Sequence, residues 1–338
     1  MLQRETAACA ARRRAALAGL AAYQAAPRVA RAPAGREIAR CGRVSVRDHG
    51  GAAASGRPVL LVPSLINAPF ILDLSPGRSL VAWLAARGLR AMLVDWGTPD
   101  PAERDEDISA HVADRLVPLI DAVTKDAGAE PLLVGYCLGG TMAIAAAALR
   151  PVAALALIAA PWHYSGFGEP ARAQIGRLWA QTQPVCDALG LVPMEVLQAC
   201  FWQLDPARTI AKYERFATLD PDDAAARDFV VLEDWANGGA PLTYGAGAQM
   251  FEQFFAADTP GRGAWQVAGT PVDPHAIDIP TIEFVARNDR IVPAASALGR
   301  GEVRPLDAGH VGMVVGQRAR DQLWAPLADW LSGIALAR

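Results

Sequence analysis

The sequence predicts an α/β fold, a mostly parallel twisted sheet with helices on both faces and a helical cap inserted into it. Three observations lead there. Short apolar runs alternate with helix-spaced segments from 58 to 160, the alternation then stops for about a hundred residues, and it resumes at 280. Strands lying between crossover helices are buried on both faces, so they read as continuous apolar runs.

In order, P-V-L-L-V-P (58–63) is a buried strand, S-L-V-A-W-L-A-A-R (79–87) has helical spacing, L-R-A-M-L-V-D-W (89–96) is a strand, and a helix follows near 108–127. P-L-L-V-G (131–135) is a strand running straight into the helix G-G-T-M-A-I-A-A-A-A-L (139–149), and V-A-A-L-A-L-I-A-A (152–160) is a further strand. Residues 162–268 carry aromatic and amphipathic helical patterns, as in P-M-E-V-L-Q-A-C-F-W-Q-L (193–204), without an obvious strand. P-T-I-E-F-V-A (280–286) returns to the sheet and a helix near 318–332 closes it. The chain thus divides into an N-terminal extension (1–57), a first part of the core (58–161), a helical cap (162–268) and a second part of the core (269–338). An insertion of that length between two sheet strands reads as a cover over the site. The extension is rich in Ala and Arg and ends in the loop-like H-G-G-A-A-A-S-G-R-P (49–58). Its segment 12–27 has a basic start, an alanine-rich middle and small residues, like an export signal. The middle is only weakly hydrophobic, which favours a short basic helix, packed on the body or frayed.

With 338 residues, 52% apolar and 20% charged, the composition is that of a globular chain. A net charge of −3 gives no reason to expect nucleic acid. Apolar segments are interrupted well short of the ~18 residues a membrane span needs. The five cysteines are scattered, with no C-x-x-C pair, so neither zinc nor a disulfide framework is indicated and a reducing, cytoplasmic setting fits. No metal-ligand spacing and no G-x-G-x-x-G fingerprint is present.

The junction at 134–140 reads V-G-Y-C-L-G-G. Gly135-Tyr136-Cys137-Leu138-Gly139 is a G-x-C-x-G elbow between a strand and a helix, the context that gives the pattern meaning. Such a turn lifts its middle side chain above the sheet, and the flanking glycines admit close neighbours. The helix N-terminus adds positive potential and free N–H groups that favour a thiolate. Cys137 is therefore the expected nucleophile, against the plainer reading of a small cysteine in a Gly-rich turn.

A thiol nucleophile needs a base, and the base an orienting carboxylate. In the α/β-hydrolase fold, which the elbow and the interrupted sheet pattern indicate, they follow in the order nucleophile, acid, histidine. His310, in L-D-A-G-H-V-G-M, lies in a glycine-flanked loop between the last strand signal and the final helix. His275 precedes a strand, and His49, His111 and His163 have no such context. Asp289, in F-V-A-R-N-D-R-I-V-P, follows a strand, whereas Asp278 precedes it and Asp307 is too close to His310 to bridge freely. The oxyanion hole should combine the N–H of Leu138 with one from the loop P-S-L-I-N-A-P-F (63–70). Ile66 is the expected second donor and Asn67 a supporting substrate contact.

L-V-P-S-L-I-N-A-P-F-I-L-D-L-S-P-G-R-S-L-V-A-W-L (61–84) resembles the corresponding segment of polyhydroxyalkanoate synthases. V-D-W-G-T-P-D (94–100), G-Y-C-L-G-G-T (135–141), D-W-A-N-G-G-A-P (234–241), A-R-N-D-R-I-V-P (286–293) and G-H-V-G-M-V-V (309–315) are similar to further blocks, in family order. The resemblance runs from about 58 to 335, and the cysteine in the elbow is its most specific element. It implies that Cys137, Asp289 and His310 are the triad of an acyltransferase polymerising (R)-3-hydroxyacyl-CoA, with the coenzyme A thioester as substrate and no cofactor. The partners it implies are 3-hydroxyacyl-CoA and the growing polyester chain, with the enzyme at a granule surface. The chain lacks the long N-terminal region of single-subunit synthases, which points to a catalytic subunit with a separate helical partner, assembled as a homo-oligomer. Arg290 stands where the family commonly has a histidine, and Met313 and the G-Q-R after Val315 replace its usual ending.

A thiol suits that chemistry. Attack on an acyl-CoA thioester exchanges one thioester for another, so the acyl group stays activated for transfer to a hydroxyl. Apolar cap residues such as Trp202, Phe251, Phe254 and Phe255 are candidates to shield the acyl site, or ordinary cap core. Two other readings stay open: a cysteine hydrolase or non-polymerising acyltransferase on the same fold, and a non-catalytic granule or partner-binding relative.

Overall fold

The computed structural model describes residues 2–28, 35–50 and 57–336. Most of the loop expected over 49–58 lies outside them. Eight strands form one sheet: β1 (Arg36–Cys41), β2 (Val44–Asp48), β3 (Pro58–Val62), β4 (Arg90–Asp95), β5 (Leu132–Tyr136), β6 (Ala154–Ile158), β7 (Thr281–Ala286) and β8 (Glu302–Leu306). Their order is β1-β2-β4-β3-β5-β6-β7-β8. From β4 to β8 every neighbouring pair is parallel, and β2 runs antiparallel to β1 and β4. This is the α/β-hydrolase arrangement.

The apolar runs become the inner strands because both faces are covered. Along β3, Val59 and Leu61 enter one core layer while Leu60 and Val62 enter the other, as the pleat requires. The helices that cover the sheet and build the cap are α1 (Ala10–Ala25), α2 (Leu80–Ala85), α3 (Val117–Ala127), α4 (Leu138–Leu149), α5 (Glu169–Leu189), α6 (Met194–Leu204), α7 (Pro206–Phe216), α8 (Ala224–Asn237) and α9 (Ala325–Leu336). α4 is buried on every side from Leu138 to Ala146, which is why its sequence has no polar face.

Strands β1, β2 and β8 were not apparent from the sequence. β1 and β8 are the edges of the sheet and carry charges, as in R-E-I-A-R-C and E-V-R-P-L, so they lack the apolar run that marks an inner strand. Pro305 is tolerated in β8 because that strand pairs on one side only. The segment expected as an extension therefore supplies a sheet hairpin as well as a helix.

No residue between 162 and 268 joins the main sheet. That stretch holds α5 to α8 and the small pairing of Leu191–Val192 with Leu242–Thr243, and at its end Gln266–Val267 pairs with Thr270–Pro271 just beyond it. The buried carboxylate of Asp258 accepts the N–H groups of Tyr164 (2.8 Å), Ser165 (3.1 Å) and Gly261 (3.2 Å), joining the start of the insertion to its end. The basic helix α1 packs on α7: Tyr23 meets Phe216, Ala226 and Val230 in a small core, and Arg12 pairs with Glu214 at 2.8 Å. Among the described residues no helix is long and apolar enough to cross a membrane.

Candidate active site

β5 leads directly into α4, and Cys137 is the corner between them. Its φ of +55° and ψ of −132° lie where a residue with a Cβ is strained. The turn is held by Cys137 N–H donating to Ile158 O (3.0 Å) and Gly140 N–H donating to Cys137 O (2.8 Å). A Cβ on Gly139 would lie 2.2 Å from Val62 O, and one on Gly135 2.4 Å from the Cα of Gly140. Only glycine lets helix and strand come this close.

Asp289 and His310 follow β7 and β8 at the same carboxyl edge of the sheet. The ring Nδ1 of His310 donates to Asp289 Oδ2 at 2.7 Å, and both side chains are buried. Asp289 Oδ1 accepts the N–H groups of Ile291 and Val292, each at 2.8 Å, so the carboxylate is fixed before it reaches the histidine. Cys137 and His310 line the same cavity. Burial works against a charged imidazole here, but the negative charges of Cys137 and Asp289 outweigh it and raise His310 to about 10.

Tyr136 packs against this histidine. Its ring stacks on the imidazole with centroids 5.0 Å apart and planes 25° apart, and its O–H donates to His310 O at 3.4 Å. Burial pushes the phenol well up, so it stays neutral. Sequence reasoning passed over Tyr136, since a tyrosine ending a strand has no local mark of contact with a loop so far along the chain.

The other expected contacts are divided. Leu138 begins α4, so its N–H has no acceptor within the helix, and it lines the same cavity as Cys137. The Ile66 N–H, expected in the oxyanion hole, instead donates to Ser64 Oγ at 3.0 Å, because a serine two residues earlier closes a local turn. It is therefore not a free donor, although Ile66 also faces the cavity. Asn67 sits at φ +65° and donates its side-chain amide to the carbonyls of Trp235 (3.2 Å), Ala236 (3.3 Å) and Gly238 (3.1 Å). Its amide N–H groups bind the cap rather than a substrate. Trp235 returns the tie, its indole N–H donating to Ala68 O at 2.9 Å.

The cavity is about 240 Å³, with Cys137 and His310 at its floor and cap residues for its walls. One wall is polar, formed by Gln198, Thr209, Lys212 and Asn237, and the rest is largely aromatic and aliphatic. Of the four cap aromatics singled out in the sequence, Trp202 and Phe255 line this cavity. Phe251 lines a smaller chamber beside it, while Phe254 is fully buried against Tyr164 and Trp265 as plain core. The rejected candidates lie elsewhere: Asp307 pairs with Arg287 on the surface at 3.0 Å, His275 and Asp278 are exposed, and His111 is buried beside Arg43 and Glu106. Arg290, next to Asp289, pairs with Asp205 at the start of α7.

Among solved structures, a candidate lipase from Sulfolobus solfataricus is similar with a TM-score of 0.57 at 16% identity, covering 88% of this chain and 92% of that one. The meta-cleavage product hydrolase of Pseudomonas fluorescens has a TM-score of 0.50 at 16% identity, covering 89% and 98%. Both likenesses concern the fold. No family model matches the chain. In sequence, the poly(3-hydroxyalkanoate) polymerase subunits of Haloferax mediterranei and Haloarcula marismortui are each 28% identical over 287 residues. These alignments cover 81% of this chain but 58% and 60% of the relatives, so the chain spans about three fifths of their length. The corresponding subunit of a Synechocystis species is 29% identical over 292 residues, covering 81% of this chain and 77% of that one. With sequence likeness across four fifths of its length and an α/β-hydrolase sheet beneath the elbow, the chain is similar to poly(3-hydroxyalkanoate) polymerase subunits.

Proposed function

We propose that the chain is an acyltransferase that takes a 3-hydroxyacyl group from coenzyme A onto Cys137 and passes it to the hydroxyl end of a growing polyester. The observation that carries this reading is His310, hydrogen-bonded to Asp289, lining with Cys137 one cavity walled by largely apolar cap residues. In the first half-reaction the Cys137 thiolate attacks the thioester carbonyl, the bond from that carbon to the coenzyme A sulfur breaks, and the departing sulfur takes a proton from His310. In the second, His310 accepts the proton of the chain-end hydroxyl, its oxygen attacks the acyl–Cys137 thioester, and the thiolate is released. Asp289 orients the imidazole and balances its charge, and the Leu138 N–H steadies the oxyanion at both steps. Each proton transfer is worth about 10²–10⁴-fold. The cap limits water at the acyl–enzyme, which favours transfer over hydrolysis.

The test is to incubate purified protein with 3-hydroxybutyryl-CoA, with and without a hydroxyl-terminated oligoester, and to quantify coenzyme A, polymer and free hydroxyacid together. Polymer is the expected product. Free acid as the sole product in both conditions overturns the reading in favour of a thioesterase.

A further inference from the structure

A second cavity of about 160 Å³ lies beside the first, between α5, α6 and the segment around Met250 to Phe255. Six residues line both cavities: Ile66, Phe167, Phe201, Met250, Phe255 and Ile291. The wall between them is thus no more than one layer of side chains. Beyond it the chamber is bounded by Ala171, Ile175, Leu197, Cys200, Phe251 and Pro293, and its charged neighbour, Arg290, is already paired with Asp205. Apart from Arg290 and the Cys200 thiol the lining of this chamber is apolar, whereas Gln198, Thr209, Lys212 and Asn237 line the first cavity.

We infer that this chamber receives the alkyl substituent on C3 of the hydroxyacyl group and makes the enzyme selective for medium-length acyl chains. The inference rests on the acyl-transfer reading above. With the thioester carbonyl at Cys137, C3 lies two bonds away, and a substituent leaving it is aimed at the shared wall that includes Ile66 and Met250, beyond which lies the second cavity. The size of the chamber decides the length. A cavity of about 150 Å³ lined by Leu, Ile and Phe holds benzene, about six carbons. The five-carbon tail of 3-hydroxyoctanoyl fits that space, and the methyl group of 3-hydroxybutyryl leaves it empty. Each buried methylene contributes a factor of about four.

The experiment measures kcat/KM for coenzyme A release, and acylation of Cys137 by intact-mass spectrometry, with the 3-hydroxybutyryl, 3-hydroxyhexanoyl, 3-hydroxyoctanoyl and 3-hydroxydecanoyl thioesters. Wild type should favour 3-hydroxyoctanoyl over 3-hydroxybutyryl by about tenfold or more. Ala171→Phe, which fills the chamber, should bring that ratio to unity or below. Ile175→Ala, which enlarges it, should move the optimum toward 3-hydroxydecanoyl. The ratio is internal to each variant, so loss of folded protein does not imitate the result. A wild-type preference for 3-hydroxybutyryl, or a ratio unmoved by both substitutions, overturns the assignment. Failure of every thioester to acylate Cys137 overturns the acyl-transfer reading beneath it.

Discussion

Cys137 holds a strained backbone corner, the proposed mechanism also asks it for a nucleophilic sulfur, and substitutions separate the two demands. Cys137→Ala should abolish coenzyme A release. Cys137→Ser keeps the corner but replaces the thioester with an ester that stores less driving force, and its transfer should fall by about a hundredfold or more. Full activity of Cys137→Ala would remove the residue from the mechanism. His310 gives a pH prediction. Its pKa is raised from 6.5 to about 10, so the native state keeps a proton that the unfolded chain releases. The stability this supplies is complete below about pH 6.5 and is lost as the pH rises through about 10. Wild type should therefore lose more thermal stability across that window than His310→Gln, as read by Tm. Parallel curves for the two proteins would show that the raised pKa is absent. Cys137, Asp289 and His310 could be singled out as candidates from the sequence because each sits beside a glycine turn or just beyond a strand; the structure pairs Asp289 with His310 and puts His310 and Cys137 on one cavity. Tyr136 was not, because its partner is brought to it by the sheet.

At the scale of elements, two contacts hold peripheral helices on the core. α1 lies so close to α7 that a Cβ on Gly19 would fall 1.9 Å from Tyr213 O. Gly19→Ala should push the helices apart and cost about 1–3 kcal/mol, visible in urea unfolding and in faster proteolysis before residue 28. An unchanged midpoint and cleavage pattern would mean that α1 contributes nothing to stability. The loop after β3 is bound to α8 through Asn67. Asn67→Ala removes three hydrogen bonds and leaves an alanine at positive φ, and it should weaken the local structure by about 1–3 kcal/mol. Amide exchange over Ala224–Asn237 should accelerate in that variant, and also in Asn67→Gly, which relieves the backbone but not the lost bonds. Protection retained in Asn67→Gly would show that the hydrogen bonds are not what holds the helix.

At the scale of the molecule, the sheet and the insertion converge on one edge. The insertion leaves the core after β6 and returns before β7, and the Asp258 carboxylate joins its two ends through the N–H groups of Tyr164 and Ser165. Asp258→Ala strands the buried N–H of Tyr164 and removes the partner of the more exposed Ser165 N–H where the insertion begins. It should cost about 2–5 kcal/mol in two-state unfolding, and acyl transfer should fall as the walls of the cavity loosen. A variant with wild-type stability would place the junction elsewhere. The helical character of 162–268 was readable because a helical period of 3.6 residues replaces short apolar runs. The edge strands β1 and β8 were not, because an edge pairs on one side and tolerates the charges of Arg36, Glu37, Glu302 and Arg304.

By itself the sequence determined what depends on neighbours along the chain: the inner strands, the elbow with its glycines, and the order Cys137, Asp289, His310. Those features are set by side-chain period and by local backbone sterics, which act over a few residues. Only the tertiary structure decided how the distant groups use their hydrogen bonds. The Ile66 N–H is taken by Ser64, the Asn67 amide is taken by the cap, and Tyr136 lies on the imidazole. It likewise decided that a second, largely apolar chamber adjoins the first cavity, since a cavity is the space left between elements whose separation no local pattern encodes.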